Sequence, residues 1–440
     1  MTKAIIIFTK VPIEGETKTR LMPGFSKEEC VQFHTCCLKD IFYVCNSYPA
    51  DIIVSYLGNK HESRLRHIFG RKVKYKRQVG KTLGERMYWV MSDALKTYDS
   101  CILIGTDVPE LRRADIKQAF STLKNKDIVL GPTADGGYYL VGMKKPIKEL
   151  FEAKTYGHKQ VLFEAISSTA SSYLIGLGTV KHDIDTPEDV RGYYDRLKHS
   201  HCKLGRLTYT EEFLMRRQSV SIIIPFYKEK KRIKALQRHL YPVKNQCEII
   251  FVGATTDDKE KILPCFIHLT SEKGRAKQMN AGAMKSHGDI LFFLHSDSIL
   301  PSHALYELRL VMLRHLFGAF GIRFSSNSKL MCVNEFLSNL RMKRGIIFGD
   351  QGIFIDRNLF FEIGMFPDLP IMEDYQISRT IRSMGIRPGF TKHHMVTSDR
   401  RYPKGVVNKL ILMAHMANLR HRYRKGEDPK ELMGEYQDVR

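Results

Sequence analysis

The order of apolar and polar segments predicts two α/β domains, each a mostly parallel sheet with helices on both faces. Three observations carry this prediction. An apolar run ending at a carboxylate occurs twice, as CILIGTDVPE with Asp107 and Glu110 and as DILFFLHSDS with Asp297. Each half opens on three consecutive isoleucines followed by a proline loop, AIIIFTKVP and SVSIIIPFYKE. Continuous apolar runs of this kind are the mark of strands buried on both faces. A length of 440 residues is also about twice the size at which one core stops growing comfortably.

Along the first half, AIIIFTK is a strand and VPIEGETKTRLMPG a loop. Ser26 followed three residues later by Glu29 is a capping-box signature that opens a helix over 26–45. DIIVSYLG is the next strand, 84–98 a helix, CILIGTD a strand, 112–123 a helix and DIVLGP a strand. Such alternation makes βαβ units and therefore a parallel sheet. The rhythm fades after Val190, and the polar stretch that follows predicts a helical or extended linker. SVSIIIPFYKE then restarts the pattern, which EIIFVGATTDD and GDILFFLHSDS continue. The expected division is a first domain over 1–195, a linker over 196–217 and a second domain over 218–440.

The formal net charge of +23 favours anionic partners: nucleotides, phosphorylated substrates, acidic lipid or nucleic acid. Basic residues are scattered over many short segments, densest in RKVKYKR and RHRYRKG, and no base-reading module accompanies them, so specific nucleic-acid binding is not expected. The segment VVNKLILMAHMANLRHRYRKG joins an apolar, helix-like run to a basic end. It either packs on its own domain or makes peripheral contact with an anionic membrane. Nine cysteines at irregular spacing, with no CxxC, predict free thiols in a reducing cytoplasm rather than a zinc site or a dithiol. No apolar stretch is long enough to span a bilayer.

In the second half, the loop holding Glu229 follows a buried strand, where ligands bind in sheets of this class. GRAKQMNAGA places Arg275 and Lys277 among small residues, either as phosphate contacts or as solvent-facing cations of a packed helix. Asp297 follows its strand and is either a ligand of a divalent cation or a turn-capping residue. In LPIMEDYQISR, Glu373 and Asp374 either favour a helix N-terminus or supply a base that accepts a hydroxyl proton.

In the first half, Lys10, Lys18 and Arg20 lie in a loop with Gly15, Pro12 and Pro23 that can fold around a di- or triphosphate, though it is neither a Walker A nor a GxGxxG sequence. Asp107 closes its strand as Asp297 does. Asp135 precedes two glycines, which indicate either close ligand approach or a tight structural turn. Asp183 is the better partner for Asp107 at a metal ion, whereas the acids of DTPEDV read as a helix start.

These strings also resemble known families. From Val220 to about residue 436, GRAKQMNAGA, FLHSDS, GDQGIFI, FPDLPIMEDYQISR and SDRRYPKG resemble the family-two glycosyltransferases of the GT-A fold, most strongly the branch called selenodomain-associated transferase two. The resemblance implies inverting transfer from a nucleotide sugar with Mg²⁺ or Mn²⁺. It implies Asp297 as metal ligand with His295 at the first acidic position, Asp374 as general base beside Glu373, and Gln351 and Arg379 at acceptor or diphosphate. The family's base-facing aspartate is replaced by Gly253 in GATTDD, which retains Asp258 at the last acidic position and puts uridine specificity in question.

From Lys3 to Val190, FTKVPIEGETKTRL, LGERM, LIGTDVPEL, GPTADGGYYLVG and DIDTPEDV resemble selenodomain-associated transferase one, related to nucleotidyltransferases that make molybdenum-cofactor and deazaflavin-cofactor nucleotides. This implies phosphate contacts at Lys18 and Arg20 and metal contacts at Asp107 and Asp183. GHKQVL departs from the usual element there and leaves the acceptor open. The expected activity is glycosyl transfer by the second domain, with nucleotidyl transfer to a sugar phosphate or related phosphorylated substrate by the first. A basic, non-catalytic protein binding nucleotide or anionic lipid is the alternative.

Overall fold

The computed structural model of the chain describes residues 2–58, 62–152, 155–199, 206–254, 262–325, 328–398 and 405–438. The chain divides into two compact units, one continuous through Arg196 and the other continuous from Met215. Most of the helix Tyr209–Arg217 belongs with the first unit, where the Asp40 carboxylate accepts the backbone N–H groups of Tyr209 and Thr210 at 2.7 and 2.8 Å.

The first sheet contains β1 (Lys3–Lys10), β2 (Asp51–Leu57), β3 (Lys74–Arg77), β4 (Ser100–Ile104), β5 (Ile128–Pro132), β6 (Tyr138–Met143) and β7 (Ile175–Leu177), ordered β3-β2-β1-β4-β6-β5-β7. Strand β1 shows why the isoleucine run is continuous. Ile5 and Ile7 enter one core with Ile102 and Val54, while Ala4 and Ile6 enter the core on the opposite face with Leu103 and Val90. Both faces are covered, so no position in the strand centre is left for a polar side chain. Capping boxes open the helices Lys27–Asn46 and Leu83–Ala94, at Ser26 with Glu29 and Thr82 with Glu85.

The second sheet contains β8 (Val220–Phe226), β9 (Glu248–Gly253), β10 (Ile267–Thr270), β11 (Ile290–Phe293), β12 (Ser298–Ile299), β13 (Phe317–Phe324), β14 (Ile353–Asp356) and β15 (Gly389–Thr397), ordered β10-β9-β8-β11-β14-β13-β15-β12. Ile222 and Ile224 of β8 pack to one side and Ile223 to the other.

Most strand neighbours in each sheet are parallel, as expected, but both sheets are mixed, each with antiparallel strands inserted. In the first, β6 runs antiparallel to β4 and β5. The five-residue connection 133–137 between β5 and β6 is too short for a parallel crossover, so the chain must reverse. In the second, β14 is antiparallel to β11 and β13. The direction of β14 matters for function: the loop before it, rather than the one after it, opens on the edge where β8, β9 and β11 end. RKVKYKR also holds more than a basic patch, since Lys74–Arg77 is the edge strand β3, paired in parallel with β2. Charged side chains on an edge strand deter further strand pairing.

Candidate functional site

Each unit gathers its acids at the carboxyl edge of its parallel strands. In the first, the ends of β1, β4, β5 and β7 lead to Lys10, Asp107, Asp135 and the segment of Asp183 and Asp185. Lys18 lies across this edge in a left-handed conformation, φ 51°. Its ammonium sits 2.6 Å from Asp107 Oδ1 and 2.9 Å from Asp185 Oδ1, and donates to the Ile184 carbonyl. Burial opposes its charge, yet Asp107 and Asp185 together raise its pKa above the usual lysine value. Partial burial likewise resists ionisation of Asp107, and Lys18 more than offsets it, holding that carboxyl below the ordinary range.

The other predicted residues take distinct places. Arg20 is exposed, 3.6 Å from Asp185 Oδ2, and Lys10 is exposed at the end of β1. Asp135 accepts the Gly137 N–H at 3.1 Å and the Thr133 hydroxyl, closing the turn between β5 and β6. Gly136 in that turn has φ 92°, and a Cβ there would fall 2.0 Å from the Lys159 carbonyl oxygen, so a structural turn requires this glycine. Asp183 is half-buried; burial first, then Asp135 and Asp185, pushes its carboxyl up to about 6. The acids of DTPEDV do start a helix, with Asp189 accepting the N–H groups of Asp185 and Thr186.

In the second unit, the helix Arg275–Lys285 links the two sides of the edge. Gln278, buried, donates to the carbonyls of Phe226 and Val252, both at 2.7 Å, and so ties the ends of β8 and β9. Asn280 exchanges hydrogen bonds with the backbone of Phe366, anchoring the loop that leads to Glu373. Sequence reasoning singled out this helix for its cations and missed these two amides. Their recognisable signal is a pair of amides two residues apart among small side chains.

Met372 turns that loop into the helix Glu373–Ser383 with φ 68°. Glu373 is buried, 3.5 Å from Arg275 Nη1. Burial pushes its carboxyl up to about 7, with Arg275 opposing the rise and Asp374 adding to it. Asp374 is half-buried and accepts two backbone N–H groups at 2.7 Å, from Gly349 and Tyr375. A Cβ on Gly349 would fall 2.5 Å from His295 Nε2 and 3.3 Å from Asp374 Oδ2. His295 and Asp374 therefore meet across Gly349, which must lack a side chain.

Asp297 borders a cleft of about 230 Å³ whose wall includes Arg232, His239, Ser296 and Ser398. Glu229 is fastened beside it, accepting from the Ser296 hydroxyl and from Arg232. Gln351 is fully buried, its Oε1 accepting the Phe348 N–H at 3.1 Å, so its amide closes the turn. Arg379 is exposed and lies over the Tyr375 ring. Asp258 lies outside the described residues, as do most of the residues of SDRRYPKG. At Gly253 an added Cβ would meet the Phe226 ring at 3.0 Å, so aromatic carbon stands where a base-facing carboxylate would need room.

Among the described residues, no group of three or more His, Cys, Asp or Glu side chains could hold a metal ion as a protein cage. The donors fit instead a cation that takes one or two carboxylates and completes its shell with substrate phosphates and water, as Mg²⁺ commonly does. Non-glycine residues at positive φ, which cost about 1–3 kcal/mol each, mark both edges: Lys18 itself, Lys228 before Glu229 and Met372 before Glu373.

Residues 42–158 match the family described as "Uncharacterized protein conserved in bacteria (DUF2064)", and residues 221–332 match Glycosyl transferase family 2. Over 115 residues the chain is 29% identical to the 2-phospho-L-lactate guanylyltransferase of Methanocaldococcus jannaschii, covering 26% of this chain and 47% of that protein. The chain spans about half the length of the curated relatives it matches. Among solved structures, a Desulfovibrio desulfuricans G20 protein described as a nucleotide-diphospho-sugar transferase is 25% identical, with TM-score 0.46, covering 49% of this chain and 94% of its own. The Pyrobaculum calidifontis mannosyltransferase PcManGT, solved with GDP-Man and Mn²⁺, is 19% identical with TM-score 0.37, covering 55% of this chain and 73% of its own. The chain thus joins a unit similar to nucleotidyltransferases to a unit that matches the model of Glycosyl transferase family 2 over residues 221–332.

Proposed function

We propose that the second unit transfers a glycosyl group, with inversion, from a nucleotide sugar to an acceptor hydroxyl. The observation that carries this reading is the division of labour between two adjacent acids. Glu373 is buried against Arg275, while Asp374 is held at the edge by neutral N–H donors and keeps acceptor capacity. The acceptor oxygen attacks the anomeric carbon opposite the diphosphate, its proton passes to Asp374, and the bond from carbon to diphosphate oxygen breaks. Asp297 is the residue that would hold Mg²⁺ or Mn²⁺, which would offset charge on the departing diphosphate. Arg275 stands close enough to Glu373 to neutralise the acid pair. The crowding at Gly253 supports a base pocket that does not rely on a carboxylate at that position.

The first unit, in the same reading, performs nucleotidyl transfer to a phosphorylated substrate. Lys18 and Arg20 would meet phosphate, and Asp107 with Asp183 would hold the cation. Should that substrate be a sugar phosphate, fusion raises the local concentration of the activated sugar for the second unit. The motif strings of the two halves support finer kinship with selenodomain-associated transferases one and two. The described cysteines are all free, which supports a reducing, cytoplasmic setting.

The test has two arms on the full chain. Nucleotide sugars with Mn²⁺ or Mg²⁺ should release nucleoside diphosphate, and nucleoside triphosphates with phosphorylated sugars should release pyrophosphate. Tight nucleotide binding without metal-dependent turnover in either arm would replace this reading with a non-catalytic binding protein.

A further inference from the structure

Two helices of the second unit carry apolar stripes that the fold leaves uncovered. On Lys329–Lys343 the buried side chains are Met331, Ser338 and Met342, while Val333, Phe336, Leu337 and Leu340 are 37–66% exposed. Their spacing of three, four and seven residues puts them on one helical face. On Val406–Arg424, nineteen residues long, only Leu419 is buried. Val406, Val407, Leu410 and Ile411 near its start are 48–68% exposed. Both helices reach Phe348, whose ring lies under Arg341 and Arg420 at 4.1 and 5.7 Å, directly before Gly349.

The charges on these helices select the occupant. Val406–Arg424 contains no acidic residue, and the one acid of Lys329–Lys343, Glu335, turns inward to accept the Phe324 N–H at 2.6 Å. Lys329, Lys343, Arg344, Arg424 and Lys425 are exposed at the ends of the two helices. A two-fold pairing of copies would set this basic surface against itself in a chain of net charge +23. An anionic bilayer instead accepts apolar side chains at its headgroup boundary and attracts the flanking cations.

We propose that these two stripes dock the second unit on an anionic phospholipid surface, as interfacial helices that lie on the bilayer without crossing it. No described helix is long and apolar enough to cross a membrane. Docking through helices that meet at Phe348 would bring the loop gripping Asp374 near the headgroups, which suits an acceptor hydroxyl carried by a lipid. The docking itself does not depend on the proposed glycosyl transfer.

The experiment is co-sedimentation of the full chain with vesicles of phosphatidylglycerol and phosphatidylcholine, and with phosphatidylcholine alone. Mass in solution is measured in parallel. The expected result is binding to the anionic vesicles that weakens with salt, and at least tenfold weaker binding for a variant carrying Phe336→Ser, Leu337→Ser, Leu410→Ser and Ile411→Ser. Unchanged circular dichroism and unchanged nucleotide-sugar binding would show that the variant is folded. A second variant, Lys329→Glu with Lys343→Glu, should lose the anionic preference without touching the apolar face. Equal vesicle binding by wild type and the four-serine variant overturns the proposal, as does absence of binding to anionic vesicles. A wild-type dimer that this variant converts to monomer would also overturn it and assign the face to a second copy.

Discussion

At the edge of the first sheet, Asp107 faces a buried lysine; at the edge of the second, Asp374 faces backbone N–H groups. Both acids stand near the end of a strand or helix on the ligand side of a sheet. Lys18 cannot serve phosphate alone, because Asp107 and Asp185 already hold it. Any phosphate entering there competes for, or shares, a cation that the fold uses as a counter-ion. Asp374 is stabilised by neutral donors, and the cation of its neighbourhood, Arg275, is placed on Glu373. A carboxylate held by two backbone N–H groups keeps lone pairs free for an acceptor hydroxyl, whereas one in an ion pair is a scaffold or a metal ligand first.

The largest test of this contrast is Asp374→Asn. Turnover of nucleotide sugar should fall by about 10²- to 10⁴-fold, the usual weight of a general base. Donor affinity should change little, because the base addresses the acceptor hydroxyl, although the asparagine oxygen can accept only one of the two N–H groups, from Gly349 or Tyr375. Kinetics with donor binding measured separately would reveal either outcome. Next in size is Gly349→Ala. The added Cβ falls within 2.5 Å of His295 Nε2, so the loop must shift, lowering stability by roughly 1–3 kcal/mol. Turnover should drop more than donor binding if the Gly349 N–H orients Asp374.

On the other edge, Lys18→Met should lower stability of the first unit by about 1–2 kcal/mol, a buried-pair effect reduced because Asp107 is half-exposed. It should leave nucleotide-sugar turnover by the second unit intact. Loss of both activities would mean that the two edges are not separable.

A further consequence is a pH dependence. Glu373 has a native pKa raised from 4.5 to about 7, so between those values the unfolded chain ionises while the folded one keeps its proton. Rising pH therefore removes stability across that window. Glu373→Gln should abolish this dependence, with the variant gaining on wild type as pH rises from 4.5 to 7. Unfolding in urea at several pH values measures it; parallel curves would place Glu373 in a more solvated environment.

The three-layer plan was legible because β1 and β8 are buried on both faces, and a continuous isoleucine run suits few elements besides a strand covered on both sides. Strand direction was not. The reversal at β6 depends on a five-residue connection, and the apolar content of YYLVGM is the same in either direction. Edge strand β3 hid in RKVKYKR because an edge strand with exposed cations has neither of the usual apolar patterns. The capping residue Ser26 obeys a local rule and illustrates how much a short string can specify.

At the sites, the acids themselves follow motif spacing, whereas the pairing of Glu373 with Arg275, 98 positions away, does not. The roles of Gln278, Asn280 and Gly349 depend on contacts with residues 26 to 86 positions away, or on a ring packed against a glycine, which no local pattern encodes. The reading of Gln351 as a ligand contact meets a different fact, since its amide lies inside the turn that it closes.

The most direct measurement is release of nucleoside diphosphate from a panel of nucleotide sugars by the full chain with Mn²⁺ or Mg²⁺, run beside Asp374→Asn. Metal-dependent release by wild type that falls at least a hundredfold in the variant, at unchanged donor affinity, is the predicted result. Equal release by the two proteins would contradict Asp374 as the base, and no release from any donor bound by the protein would contradict glycosyl transfer itself.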